Sequence, residues 1–182
     1  MTETGGPDQG GASPDHDPGR SGGPPARDRD PAGRPRNARP RDGLGRPLPK
    51  DAPGAPRVPD DLILPPGESL GLADAMLASG RPFHAHEVLE ASWKSAPAGE
   101  RDFWQGLAQL AVGLTHARRG NARGAVALLR RGATAIRAFA PADPHGVPVN
   151  RVAGDAEGLA EWITRDGLAQ IPPGALLLRL RP

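Results

Sequence analysis

The sequence predicts an all-α fold, a compact bundle of about five helices behind a disordered Gly/Pro/Arg-rich N-terminal tail. Three observations carry that reading. The first 60 residues contain 24 Gly and Pro and no aromatic side chain. Beyond Asp61 the apolar residues recur three and four apart, the spacing of one helix face. Glycines, prolines and an asparagine punctuate those runs at intervals suited to helix ends. The chain therefore divides into a tail at 1–60 and a helical domain of unknown function at 61–182. A tail of this composition has too little apolar surface to offset the entropy lost on ordering.

The first helix is expected over Glu68 to Ser79, with Leu70, Ala73, Met76 and Leu77 facing inward and Gly80 closing it in a left-handed conformation. The second starts at Pro82, a residue that fits a first helical position, and runs to about Ala96, before the breakers Pro97 and Gly99. The third, Glu100 to Arg119, gathers Phe103, Leu107, Leu110 and Leu114 in a narrow arc and should be the most buried. Arg118 and Arg119 suit its negative end, Gly120 its cap, and Asn121 the N-cap of the next helix, so the pair must form an antiparallel hairpin. The fourth, Ala122 to Phe139, turns Ala125, Leu128, Leu129, Gly132 and Ile136 inward and stacks Arg123, Arg130 and Arg137 on a solvated face. Leu159, Trp162 and Ile163 mark a fifth near Asp155 to Arg165. The apolar end Leu176 to Leu180 is expected to lie over the bundle.

Composition excludes several functions. The chain has no cysteine, which removes disulfides, thiolate nucleophiles and cysteine-ligated zinc. A net charge of +2 leaves no strong field despite the pI of 9.9, and basic residues are not interleaved with aromatic ones, so nucleic acid is not an expected partner. The start is polar and no stretch approaches about 18 consecutive apolar residues, which argues against a signal peptide or a membrane partner and makes the cytoplasm the expected location. A second copy of the chain or another protein remains compatible as partner.

The stretch from Phe83 to Trp93 carries the candidate site. His86 and Glu90 lie four apart, between Leu89 and Trp93 on one side and Phe83 on the other, so an inward polar cluster is expected, with Glu87 three residues before Glu90. One reading is structural: His86 bonds Glu90, and a neighbouring helix supplies Gln109 or His116 as further partners, because an unpaired buried polar group costs about 1–3 kcal/mol. The other makes His86, Glu87, Glu90 and His116 ligands of a divalent metal, Zn, Mn or Fe. A third would use Glu87 or Glu90 as general base beside a metal-bound water in hydrolysis. The spacing matches neither H-E-x-x-H nor the Glu-x-x-His of di-iron bundles. No catalytic residue is assigned. His84 falls away from the core arc, and His145 falls in a loop.

Three consecutive blocks resemble a known family. They are Phe83, Ala85-His86-Glu87-x-x-Glu90-x-x-Trp93; then Glu100-Arg101-Asp102-Phe103-x-Gln105-Gly106-Leu107-x-Gln109-Leu110-Ala111; then His116-x-x-Arg119-Gly120-Asn121-x-x-Gly124-Ala125. Together they resemble the domain-of-unknown-function family 309 over residues 61–182. The resemblance implies a compact all-helical domain of bacterial or plastid type; it does not imply an activity. It implies that His86, Glu87, Glu90, Trp93, Gln105, Gln109, His116, Arg119 and Asn121 are the recurring polar positions. The first seven form the candidate ligand-binding cluster.

Overall fold

The computed structural model describes residues 39–182 apart from Arg57, Asp60 and Asp61, and the part of the expected tail at 1–38 lies outside the described residues. Five α-helices follow: α1 (Pro66–Ala78), α2 (Pro82–Ser95), α3 (Arg101–Arg118), α4 (Ala122–Arg137) and α5 (Val149–Asp166). Four single 3-10 turns join or follow them, and the described residues form no strand. No helix among the described residues is long and apolar enough to cross a membrane.

The core is one cluster built on α3. Phe103, Leu107, Leu110 and Leu114 are each no more than 1% exposed and Trp104 is 2% exposed, which makes α3 the central helix its leucine arc predicts. It packs on α2 on one side and α4 on the other, with α1 outside α2 and α5 outside α4. The α3–α4 crossing is close because Gly106 and Gly132 face each other there. A Cβ on Gly132 would lie 2.7 Å from the Gly106 carbonyl oxygen.

The helix ends follow local chemistry. Gly80 and Gly120 take φ of +73° and +81° after α1 and α3. Asn121 Oδ1 accepts the Gly124 N–H at 2.9 Å and caps α4. Arg123, Arg130 and Arg137 are exposed, as their spacing predicts.

Two regions differ from expectation. α5 begins at Val149, six residues before Asp155, because small inward residues, Val149, Val152, Ala153 and Ala156, extend its buried stripe. Its first N–H is satisfied from a distance: Asp143 Oδ1 accepts from Val149 N at 3.1 Å. The second difference lies at residues 40–56, which composition assigns to the tail. There Asp42 Oδ1 accepts the backbone N–H groups of Leu44 and Arg46, Arg41 pairs with Pro47 in an isolated antiparallel bridge, and the loop rests on α2 and α3. This order rests on hydrogen bonds rather than on apolar mass, so composition could not register it.

The C-terminal end closes over α1 as expected, with Leu176, Leu178 and Leu180 buried. What fastens it is Asp74 on α1, 6% exposed, which accepts the Leu180 N–H at 2.7 Å and the Arg179 Nη2 at 2.8 Å. Arg118 at the end of α3 donates to the Leu176 carbonyl at 3.1 Å.

Candidate functional site

The polar residues that the sequence draws into one cluster fall into separate places. On α2, His86 Nε2 lies 3.3 Å from Glu90 Oε2, and Lys94 Nζ lies 2.8 Å from Glu90 Oε1. This is a ladder at four-residue spacing along one edge of the helix. The His86 and Glu90 side chains are 25% and 34% exposed, so the inward orientation is corrected: they border the core rather than enter it. Glu87, Glu90, Ala91 and Lys94, with Val58 and Pro59, line an open hollow of about 130 Å³. Trp93 packs against the core from the same helix, partly buried.

His116 is elsewhere. Asn121 must turn its Oδ1 to the Gly124 N–H, which points its Nδ2 at His116 Nδ1, 2.7 Å away. The imidazole thus serves as acceptor in the α3–α4 connection. Gly124 makes room for it, since a Cβ there would stand 2.4 Å from Nδ1. His86 and Glu90 pair along α2 while His116 pairs with Asn121 in the α3–α4 connection. Among the described residues no group of three or more His, Asp or Glu side chains is placed to hold a metal ion. Gln105 and Gln109 are half-buried on α3, and the Gln109 Oε1 is buried without a hydrogen-bond partner.

Two groupings escaped the sequence reading. The first surrounds Glu100, whose Oε2 accepts from Trp104 Nε1 at 3.1 Å and lies 2.8 Å from His145 Nε2. The His145 ring lies 5.6 Å from the Trp104 ring, and Asp143 and His145 both adopt positive φ to reach this position. The Glu100–Trp104 spacing of four was the only signal available, because His145 arrives from 45 residues away.

The second lies where α2 begins and α3 ends. His84 is 1% exposed, against the expectation that it faces away from the core. The 40–56 loop lies against it: the Gly43 backbone and Asp42 come close enough to act on the ring, while Nδ1 has no hydrogen-bond partner. Beside it, Arg119 donates from Nε to the Leu44 carbonyl at 3.0 Å and also from Nη2. The Arg41 and Arg119 guanidinium carbons stand 5.4 and 5.8 Å from the Phe83 ring centre, within cation–π range. Gly45 lies flat on that ring, where a Cβ would come within 2.3 Å of it.

These surroundings set an acid response. Burial, with the Arg81 charge, holds the His84 imidazole below the ordinary histidine range against the opposing pull of Gly43 and Asp42. Burial does the same to His86, with Glu90 opposing and Lys94 assisting. For both, the unfolded chain binds protons that the folded chain refuses, so stability is full above about pH 6.5 and falls as pH drops below it. Glu100 is held below the carboxylate range by its bonds to His145 and Trp104, so its contribution is lost only at lower pH, as it finally protonates. Thermal melts from pH 7.5 to 5.5 should show a falling Tm, and His84→Phe should flatten the fall. A level wild-type profile would refute this account.

Comparison with known proteins matches part of the chain. The model of a family described as "Domain of unknown function (DUF309)" matches residues 72–128, from within α1 into α4, which includes all three sequence blocks. The uncharacterized protein YpuF of Bacillus subtilis (strain 168) is 48% identical over 48 residues, 26% of this chain. That match spans 28% of the relative's length. No solved structure matches the chain.

Proposed function

We propose that the DUF309-matching stretch is a non-catalytic helical module whose polar residues hold helices and helix ends in place, and whose work is to bind rather than to transform. One observation carries this reading: each partnered histidine of the cluster is paired within its own helix or the adjoining turn. His86 meets Glu90 one turn on, and His116 meets the Asn121 cap. A pairing of this kind fixes side-chain direction and helix ends. It spends the lone pairs and charges that a metal or a reacting water would need.

The hollow beside Glu87 and Glu90 supports the same reading by its size. Pockets for organic ligands run to about 300–1,000 Å³, against about 130 Å³ here. The test is Glu90→Gln, melted with and without added Zn, Mn or Fe(II). Because the ladder is partly solvated, the substitution should cost less than about 1 kcal/mol, and none of the ions should raise the Tm of either protein. A metal-dependent rise in wild type that Glu90→Gln abolishes would replace the structural reading with a metal site.

A further inference from the structure

We propose that the groove where α2 begins and α3 ends is a peptide-docking site, occupied here in cis by residues 41–47, and that its trans ligand is a protein segment presenting the same glycine-bearing turn. This deepens the binding reading by naming the surface and the ligand chemistry. It does not depend on what His86 and Glu90 do.

The walls and the occupant have different origins. Phe83, His84 and Arg119 belong to the stretch that matches the family, whereas residues 41–47 lie outside it. The walls read a backbone rather than a set of side chains. Arg119 directs two N–H groups at one carbonyl, that of Leu44; the His84 ring meets the backbone at Gly43; and the Phe83 face accepts only a residue without a Cβ. Without the loop these three groups would be left with an unpaired guanidinium, a solvated ring face and a histidine already one bond short at Nδ1. A site so specified is matched to a turn of the form Gly-x-Gly with its middle carbonyl turned outward, as Gly43-Leu44-Gly45 is.

The occupant is built as a detachable ligand. Asp42 fastens the turn to itself through the Leu44 and Arg46 N–H groups and through Arg46 Nε at 2.8 Å, so little conformational freedom remains to be lost on docking. Its apolar hold on the helices is small. Gly45 is the only residue of 40–56 that is fully buried, and the Arg81 donation to the Pro56 carbonyl at 3.2 Å fastens the far end. Segments held by few apolar contacts open at the low end of a protein's stability range. A second segment with the same turn can therefore take the site.

The experiment uses the 182-residue chain carrying Gly45→Val. A valine there collides with Phe83 and resists the φ of +74°, so the loop should leave while the helices remain. Amide exchange at 42–48 should accelerate at least tenfold, with the helical circular dichroism unchanged. A fluorescent peptide of residues 39–48 should then bind this variant at least tenfold more tightly than wild type, whose site is filled. Adding Arg119→Ala, or placing Gly45→Val in the peptide, should remove the binding. If Gly45→Val does not fold, Arg119→Ala alone must still speed loop exchange at least tenfold. Equal peptide affinity for wild type and Gly45→Val, or an exposed loop with no peptide binding, overturns the proposal. So does loop protection that rises with protein concentration, which would seat the loop on a second copy.

Discussion

Replacing Gly132 by valine is expected to destabilise the domain by about 3 kcal/mol, the upper end of the range for overpacking a filled interior. Two features make this position on α4 sensitive. The new Cβ would lie 2.7 Å from the Gly106 carbonyl oxygen and 2.7 Å from Leu110 Cδ2. The first of these is backbone of the central helix and cannot turn aside. Relief requires α3 and α4 to separate, and Gly106 is equally constrained from the other side, its own Cβ position being 2.7 Å from Ile136 Cγ2. Gly158→Ala on α5 is the internal control. Nothing lies within 4 Å of its Cβ position, so the better helix propensity of alanine should stabilise by roughly 0.5–1 kcal/mol. Urea unfolding of the two variants checks both signs. A Gly132→Val protein as stable as wild type would show that the helices do not cross this closely.

The second large effect is expected at Asp74. Asp74→Ala removes the acceptor of the Leu180 N–H from a buried place and leaves that donor unsatisfied, while Arg179 loses its carboxylate partner. The expected cost is about 2–3 kcal/mol, within the range for leaving a buried donor unpaired. It should be local: the segment from Leu176 to Leu180 should lose amide protection before α3 or α4 does. Asp74→Asn keeps one acceptor and should fall between wild type and alanine. Protection at Leu178 and Leu180 that survives Asp74→Ala would mean that burial of their side chains alone closes the end over α1.

Helix identity was legible because it is written in nearest neighbours. The leucine arc of α3, the Gly80 and Gly120 caps and the Asn121 N-cap each depend on residues within one turn, and each is found where local chemistry puts it. The start of α5 was not legible for the complementary reason. Val149 to Ala156 includes Gly154 and short apolar side chains, a weak periodic signal, and the group that satisfies its first N–H, Asp143, belongs to the preceding loop.

The candidate cluster was legible as a list of residues but not as a place. A helical wheel sets His86 and Glu90 between apolar neighbours, yet it cannot say how far the next helix extends beside them. That edge stays partly open to solvent, and His116 meets Asn121 instead. His84 shows the converse. Its wheel position faces away from the bundle, yet it is buried, with Asp42 and Gly43 of the returning loop beside its ring.

The sequence by itself determined the all-α class, four of the five helices to within two or three residues, their caps, and the solvated arginine face of α4. These follow from the 3.6-residue period and from side chains bonding their own backbone, which act over a few residues. Only the tertiary structure decided which polar groups meet. Glu100 with His145, Asp74 with Arg179 and Leu180, and Arg119 with Leu44 join positions 45, 105 or 106, and 75 residues apart. A contact at that separation forms only after the helices have packed, because packing is what offsets the entropy of closing so long a loop.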